Sequence, residues 1–573
     1  MKKLLPYLKK YRAYAFLSPV LMILEVLTDV SVPYLMSRIV DVGIATQDIN
    51  YVVKVGITMI AVALVGMVFG ILSAHFGARA GYGFASEIRL ATYEKIQGFS
   101  FANLDQFTVS SLITRLTNDC NTLGQVMMMS LRMGVRAPFM MIFALLMAVR
   151  INSSLTLVFA VSIPVMVAIA AFVITKARPL FMEMQTRVDR LNAVIKENLA
   201  GVGVVKSFNR QEHEEKRFKE RNDGLRDTAL KAISIVVFVM PLLNLIIYGT
   251  IIAVLWFGGK QVTSGTMGQG ELISFITYIT QIMMALMMVS MFFMQLLRGA
   301  ASKERILAVW ETESEIANPA DPVRKIKDGS VEFKDVCFVY PGGSERVLRD
   351  INLRIESGEI IGIIGSTGSS KTTLVQLIPR LYDVTKGKVL VGGVDVRDYD
   401  LKFLRDQVAF VLQKNTLFTG TIRDNMKWGN EDATDLEIIT ALKQAQAWEF
   451  VSKYEDGLDH WVEQGGANFS GGQKQRLTIA RALVKKPKIM ILDDSTSAVD
   501  MATDAKIQRT FREELKDITT IIIGQRISSI QYADRIIVMH EGQIESVGDH
   551  DTLLKISPIY RDIYESQQKG VAS

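Results

Sequence analysis

The sequence predicts a membrane α-helical bundle followed by an α/β domain, and three observations lead to this prediction. Long apolar runs fill the first half of the chain, whereas short strand-like and helical segments alternate through the second half. The 573 residues are 49% hydrophobic and 22% charged, which is too apolar for a wholly soluble protein and too charged for a wholly embedded one. In the second half, an apolar strand leads into a loop of small residues that opens a helix.

Six apolar runs in the first half are interpreted as membrane-spanning helices. They cover residues 14–35, 55–76, 137–149, 155–174, 233–257 and 272–297. The third run is short, but it pairs with the fourth across the polar segment 150–154 as a hairpin would. The sequence therefore predicts six transmembrane helices.

The basic residues of this half predict its orientation. Lysine and arginine are concentrated in the N-terminal segment and in residues 79–136 and 176–231, which face the cytosol by the positive-inside rule. Both internal stretches are longer than a loop needs and show helical periodicity, so we expect long cytosolic extensions of the membrane helices. An even number of crossings places the C-terminal half in the cytosol as well, and the chain is expected to be a multi-pass protein of the cell membrane.

Charge, cysteine content and domain boundaries follow from the same composition. The formal net charge of +6 requires no nucleic-acid partner, because the basic residues lie beside apolar runs and would face anionic lipid. Cys120 and Cys337 are far apart and predict neither a disulfide framework nor a metal site. A polar stretch with two prolines leads us to place a transmembrane domain at residues 1–310, a linker at 311–328 and the α/β domain at 329–573. The tail from residue 567 is expected to be disordered.

Residues 360–374 (IIGIIGSTGSSKTTL) have the order of strand, loop and helix that a phosphate-binding loop requires. Small residues let successive backbone N–H groups point into one concavity, and the helix N-terminus adds partial positive charge there. Lys371 would reach the β- and γ-phosphates of ATP, and the Thr372 hydroxyl would bind Mg²⁺. The candidate residues of this loop are Gly365, Ser366, Thr367, Gly368, Ser369, Ser370, Lys371, Thr372 and Thr373. The alternative interpretation is a Gly/Ser-rich turn before a helix.

One residue departs from the pattern G-x-x-x-x-G-K-[ST], because Ser370 stands where the second glycine belongs. A side chain there is expected to crowd the approach of the backbone to phosphate. Serine is also a good helix cap, so the loop is still expected to close.

Two further segments carry acidic or anion-binding groups. Asp493 and Asp494 end an apolar strand, and an acid at the carboxyl end of a parallel strand lies beside the phosphate loop. Asp493 would hold Mg²⁺ through its water shell, and Asp494 would polarise the attacking water; the alternative is a surface turn. Residues 470–473 (Ser-Gly-Gly-Gln) open a helix and predict a second anion-binding helix end, with a plain helix cap as the alternative. Two such helix ends favour two domains that share nucleotide.

Together these motifs resemble those of an ATP-binding cassette exporter half-transporter, which has six membrane helices followed by one α/β P-loop nucleotide-binding domain. The resemblance extends over residues 17–564. It implies that Tyr340 stacks on adenine and that Gln413 touches Mg²⁺. It also implies that Ser470, Gly471, Gly472 and Gln473 act in trans on the ATP of a partner chain. Residues 111–119 and 197–210 resemble the cytosolic extensions that carry coupling helices in this family.

Two catalytic positions depart from the family pattern. The usual glutamate is Asp494, one methylene shorter, and the usual switch histidine is Gln525. A base displaced by about 1 Å can lose on the order of a hundredfold in rate, and glutamine cannot carry a proton at neutral pH. In this family each composite site combines the phosphate loop of one chain with the signature segment of the other, which is residues 470–473 here. With Ser370, three departures fall on the composite site of this chain's phosphate loop, a pattern that resembles the degenerate-site subunit of a heterodimeric bacterial multidrug exporter. The expected partner is therefore a different half-transporter, and hydrolysis is expected mainly at the site formed by the partner's phosphate loop and this chain's signature segment.

The expected function is ATP-driven export of hydrophobic or amphipathic compounds. A lipid or peptide exporter on the same frame, a homodimeric transporter with weak ATPase activity, and a nucleotide-gated regulatory membrane protein are the alternatives. Glu25 and Asp29 lie four apart on the first span and would attract cationic substrates, unless they are hydrated or paired near a helix end. A stripe on the last span would line a cavity for varied apolar molecules, with lipid-facing or packing roles as alternatives. It consists of Met284, Met287, Met291 and Met294.

Overall fold

A computed structural model describes residues 3–494 and 499–572, and the chain divides into two compact units. The first unit comprises Met1–Gln97 and Val109–Glu311, and the second comprises Gly98–Thr108 and Thr312–Ser573. The description covers the backbone but not the side chain of residues 170, 173, 174, 178, 236, 239, 240, 290, 294, 501 and 569–572.

The N-terminal half of the described chain is helical. Its α-helices are α1 (Arg12–Arg38), α2 (Ile49–Gln97), α3 (Phe101–Gln106), α4 (Val109–Thr114), α5 (Cys120–Ile151), α6 (Ser153–Ala200), α7 (Val202–Ser207), α8 (Gln211–Thr263) and α9 (Gln269–Glu311). The short helix α3 belongs to the second unit. Each predicted apolar run lies in a separate long helix of this set.

Among the residues that the structure describes, five segments are long and apolar enough to cross a membrane. They are Leu5–Ile44, Ile49–Gln97, Val109–Ile151, Pro241–Thr263 and Gln269–Glu311, and a shorter apolar segment, Ser153–Ile169, begins α6. A bilayer needs about 20 residues, so helices of 43 to 53 residues such as α2, α6, α8 and α9 extend well beyond it. The predicted long extensions are confirmed, while the count of six crossings stays a prediction.

Buried hydrogen bonds join the first and last membrane helices. The Tyr278 hydroxyl donates to Val30 O at 2.8 Å, and Ser274 Oγ donates to Pro33 O at 2.6 Å. Around them, Val26, Phe159 and other apolar side chains of α1, α5, α6, α8 and α9 form one core. Polar groups that satisfy each other inside apolar surroundings fix the register of the two helices.

The second unit contains three sheets in its described part. Its strands are β1 (Val331–Phe338), β2 (Leu348–Ile355), β3 (Ile360–Gly365), β4 (Lys386–Val391), β5 (Val394–Asp395), β6 (Val408–Val411), β7 (Gly420–Thr421), β8 (Trp461–Val462), β9 (Ile489–Asp493), β10 (Thr519–Ile523), β11 (Arg535–His540) and β12 (Gln543–Gly548). The central sheet has the order β12-β11-β3-β10-β9-β6, and its last five strands run parallel. An antiparallel sheet has the order β2-β1-β4-β5, and β7 pairs with β8.

Nine helices accompany these strands in the described residues. They are α10 (Lys371–Gln376), α11 (Leu401–Gln407), α12 (Ile422–Lys427), α13 (Asp435–Gln444), α14 (Trp448–Val451), α15 (Gly471–Val484), α16 (Met501–Glu513), α17 (His550–Ile556) and α18 (Pro558–Ala572). The predicted α/β domain is confirmed, but Gln567 and Gln568, which begin the tail expected to be disordered, belong to helix α18. This helix runs to Ala572, and Ile559, Ile563 and Tyr564 pack its first part against the core.

Candidate functional site

The phosphate loop lies between β3 and α10, as the sequence predicts. At Gly365 a Cβ atom would lie 2.1 Å from Met539 O on the neighbouring strand β11, so only glycine fits there. Lys371 Nζ crosses the loop and donates to Gly365 O and Ser366 O, both at 2.9 Å, and to Ser369 Oγ at 3.2 Å. Burial lowers the pKa of Lys371. The loop thus folds around the ammonium group of Lys371, which donates to oxygen atoms of the loop itself.

Ser370 adopts a left-handed backbone conformation with φ +70° and ψ +26°. Its side chain makes no capping hydrogen bond to α10, so the expectation that serine compensates as a helix cap is wrong. The physical reason is the backbone, because a capping residue needs an extended conformation that directs its oxygen at the first turn. The loop therefore keeps the glycine conformation at this position and bears the cost of a side chain in it.

Replacing Ser370 with glycine is expected to stabilise the second unit by about 1 kcal/mol, since a left-handed conformation costs a non-glycine residue roughly that much. The thermal unfolding midpoint of the detergent-solubilised protein measures the gain. Ser366→Gly is the matched control, because Ser366 lies in the same loop without a positive φ. An equal rise in both variants would contradict the explanation.

The residues at the ends of β9 and α10 supply oxygen ligands suited to Mg²⁺. Thr372 Oγ1 donates to Asp493 Oδ1 at 3.1 Å, and Asp493 is buried at the last position of β9. Burial raises the pKa of Asp493. A hydroxyl beside a carboxylate is the donor set that this hard cation prefers, so the residues fit the ion. Mg²⁺ held by Thr372 and, through water, by Asp493 would neutralise charge on the phosphates, with the Gln413 amide at the edge of the site.

Asp494 and Gln525 meet in the structure. Gln525 Nε2 donates to Asp494 Oδ2 at 2.8 Å, and Gln413 Nε2 approaches the same oxygen at 3.4 Å. The contact arises because β9 and β10 are adjacent parallel strands, with Asp493 opposite Ile523, so the residues after both strands leave the sheet together. Burial raises the pKa of Asp494, although the hydrogen bond from Gln413 acts to lower it. The carboxylate is engaged by amides, neither of which can accept a proton.

Tyr340 belongs to an aromatic cluster. Its hydroxyl lies 2.9 Å from Thr373 Oγ1 in the phosphate loop, and its ring meets Phe338 and Tyr382 edge to face, with centroids 4.9 and 5.3 Å apart. Tyr382 in turn donates to Asp105 Oδ2 on the short helix α3 at 2.7 Å. Sequence reasoning missed Tyr382 and Asp105, since nothing in their spacing marks a contact across 277 residues.

Residues 470–473 form the N-terminus of the 14-residue helix α15. Ser470 Oγ accepts from Gln473 N at 3.3 Å, and Gln473 Oε1 accepts from Ser470 N at 2.9 Å. Ser470 and Gly471 are exposed, and Gly472 is half-buried. The segment is therefore a helix cap, as the alternative interpretation held, and it also presents an accessible positive helix end.

The acidic pair of α1 is paired with a cation in the first unit. Arg136 on α5 bonds to Glu25 through Nη1 and to Asp29 Oδ2 through Nη2 at 2.6 Å. The sequence points to both carboxylates but not to Arg136, and pairing, one of the alternative interpretations, is the arrangement observed. Met284 and Met291 are 49% and 65% exposed, Met287 is half-buried, and the side chain of Met294 lies outside the described residues.

Comparisons with known proteins agree with this architecture. Residues 15–286 match the model of the ABC transporter transmembrane region, and residues 348–497 match that of the ABC transporter family. The chain is 37% identical over 567 residues to the uncharacterized ABC transporter ATP-binding protein YfiB of Bacillus subtilis, covering 99% of this chain and 98% of that protein. It is 30% identical to the ATP-dependent lipid A-core flippase of Desulfotalea psychrophila, covering 99% of each.

A solved structure shares the fold of the whole chain. The structure of a bacterial Atm1-family ABC exporter with ATP bound gives a TM-score of 0.80 over 98% of each chain, at 23% identity. In this family the nucleotide-binding domain lies in the cytosol, binds ATP, normally with Mg²⁺, and couples its hydrolysis to transport, and the exporters work as dimers. The chain thus belongs to the ABC transporter family as an exporter half-transporter, with one membrane-spanning domain and one nucleotide-binding domain.

Proposed function

We propose that this half-transporter exports hydrophobic or amphipathic compounds across the cytoplasmic membrane as one half of a heterodimer. Nucleotide that touches both nucleotide-binding domains favours their closed state through its differential affinity, and closure turns the cavity outward. The site on this chain's phosphate loop is the degenerate one. Turnover occurs mainly where the partner's phosphate loop meets residues 470–473 of this chain.

The observation that carries the heterodimer proposal is the 2.8 Å hydrogen bond from Gln525 Nε2 to Asp494 Oδ2. Two departures from the family pattern form one contact, which occupies the carboxylate that would otherwise orient water. A short carboxylate held by an amide is a poor general base, because proton uptake and correct placement are both needed. By contrast, the exposed end of α15 at Ser470 and Gly471 is well formed, as a partner's phosphates require.

Two features of the membrane half favour an amphipathic substrate. Exposed methionines such as Met284 and Met291 offer flexible, polarisable contacts to varied apolar groups. Glu25, Asp29 and Arg136 add a polar cluster with one net negative charge, which suits a molecule with both apolar and polar parts. A lipid exporter is the second candidate, since a relative of nearly equal length is a lipid A-core flippase.

Purification of the complex from native membranes, followed by mass determination of the associated chain, tests the proposal. We expect a different half-transporter that carries glutamate and histidine at the positions of Asp494 and Gln525. A dimer of this chain alone that hydrolyses ATP at ordinary rates would contradict it. Substrate uptake into inverted vesicles, lost when the competent site is disabled, separates an exporter from a nucleotide-gated membrane protein.

A further inference from the structure

The C-terminal helix α18 reaches the loop that carries Gln525. Gln567 Nε2 donates to the backbone oxygen of Gln525 at 2.7 Å, and Gln567 Oε1 accepts from the backbone N–H of Ile527 at 2.9 Å. One side chain thus uses both its donor and its acceptor on the segment that starts at Gln525. This segment follows β10 and continues into a short 3₁₀ turn at Ile527–Ser529.

Helix α18 is firmly attached to the second unit before it reaches this loop. Tyr560 is fully buried, and its hydroxyl lies 2.7 Å from His550 Nδ1 on α17. Ile563 and Tyr564 pack against the main apolar core. Gln567 follows Tyr560 by seven residues, two helical turns, so it projects from the same face of an anchored helix.

We propose that Gln567 is a positioning residue of the nucleotide site, an inference that rests on the role assigned to Gln525 under the proposed function. By fixing the backbone at Gln525 and Ile527, Gln567 holds the Gln525 amide on Asp494 Oδ2. The same amide is one of the groups of this chain, with Lys371, that would meet a γ-phosphate at this site. Without Gln567, the loop loses two backbone hydrogen bonds and the amide is no longer held in place.

The expected effect is faster loss of nucleotide from this chain's site. A hydrogen bond in such a position is worth about a factor of 2 to 10 in an equilibrium, so Gln567→Met should shorten nucleotide retention about fivefold. Methionine matches the length of glutamine and keeps helix propensity, so the change removes the hydrogen bonds with little change of volume. The adjacent, exposed Gln568 provides the matched control, Gln568→Met.

The experiment uses the complex of the full chain with its associated chain, purified from membranes. Retention is followed with the photoreactive analogue 8-azido-ATP: the complex is loaded, chased with ATP and irradiated at intervals, and the two chains are separated on a gel. The label on this chain then reports its own nucleotide site. Four variants are compared with the unmodified chain: Gln567→Met, Gln568→Met, Gln525→Ala, and the double variant of Gln525→Ala and Gln567→Met.

The proposal predicts shorter retention for Gln567→Met and Gln525→Ala, no change for Gln568→Met, and no further shortening in the double variant. Additive effects in the double variant would overturn it, because a substitution that merely loosens the fold acts independently of Gln525. Unchanged retention in Gln567→Met, with faster loss in Gln525→Ala, would overturn the positioning role alone. Unchanged retention in Gln525→Ala would remove the assigned role of Gln525 as well.

Discussion

Replacing Asp494 with glutamate together with Gln525 with histidine is expected to raise ATP hydrolysis at this chain's phosphate loop by about 100-fold. The longer carboxylate reaches further toward the γ-phosphate, and displacement of a base by about 1 Å costs on the order of a hundredfold. The imidazole restores a group that can take up and carry a proton, in place of the amide that now donates to Asp494 Oδ2. Single-turnover hydrolysis in the purified complex measures the gain.

This measurement requires a complex in which the other composite site, formed by the partner's phosphate loop and residues 470–473 of this chain, is inactive. Ser470→Asp does so with little structural change, because aspartate caps a helix as well as serine and places negative charge where a partner's phosphate would lie. Asp517→Glu, at an exposed position, controls for the added methylene. No gain in the double replacement would mean that the departures at Asp494 and Gln525 do not limit hydrolysis.

Replacing Arg136 with alanine is expected to destabilise the membrane domain by about 3 to 5 kcal/mol. Arg136 pairs with both Glu25 and Asp29, and its loss leaves two carboxylates without a counter-ion in partly buried, apolar surroundings. Carboxylates within a membrane segment are costly unless they are paired or hydrated. The temperature at which the detergent-solubilised protein loses its monodisperse size-exclusion peak measures the effect.

Neutralising the two carboxylates should restore most of that loss. The variant with Glu25→Gln, Asp29→Asn and Arg136→Ala carries no unpaired charge in the cluster, so its melting temperature should approach that of the unmodified chain. Arg150→Ala removes an exposed arginine from the same helix and should change little. If Arg136→Ala is as stable as Arg150→Ala, the ion pairs contribute nothing and the cluster is free to serve substrate alone.

The fold and much of the geometry of the candidate nucleotide site could be predicted because their signals are local in sequence. The strand, loop and helix at residues 360–374 differ in composition from what surrounds them, and the apolar run that ends in Asp493 is characteristic of a buried parallel strand. Position in the sheet then follows from order, since the carboxyl ends of parallel strands share one edge. The contact between Asp494 and Gln525 is a direct consequence of that rule.

Contacts between distant segments could not be predicted in the same way. Arg136 lies more than 100 residues from Glu25 and Asp29, and in the sequence it only ends the basic stretch 79–136. Gln567 falls in a polar tail whose composition favours disorder, yet Ile563 and Tyr564 supply the apolar face that holds α18 on the core. The left-handed conformation of Ser370 is likewise imposed by the loop, against the preference of serine.

The central proposal is that this chain's phosphate loop contributes little to turnover and that its residues 470–473 contribute most of it. Steady-state ATP hydrolysis in the purified complex tests this proposal most directly. Ser470→Asp should abolish nearly all turnover, with Ser470→Asn as the neutral control that keeps the cap, whereas Lys371→Gln should leave most of it. Full turnover in Ser470→Asp, or complete loss of turnover in Lys371→Gln, would contradict the proposal. The proposal holds that this chain's own phosphate loop is weak, whereas its residues 470–473 serve the partner's nucleotide well.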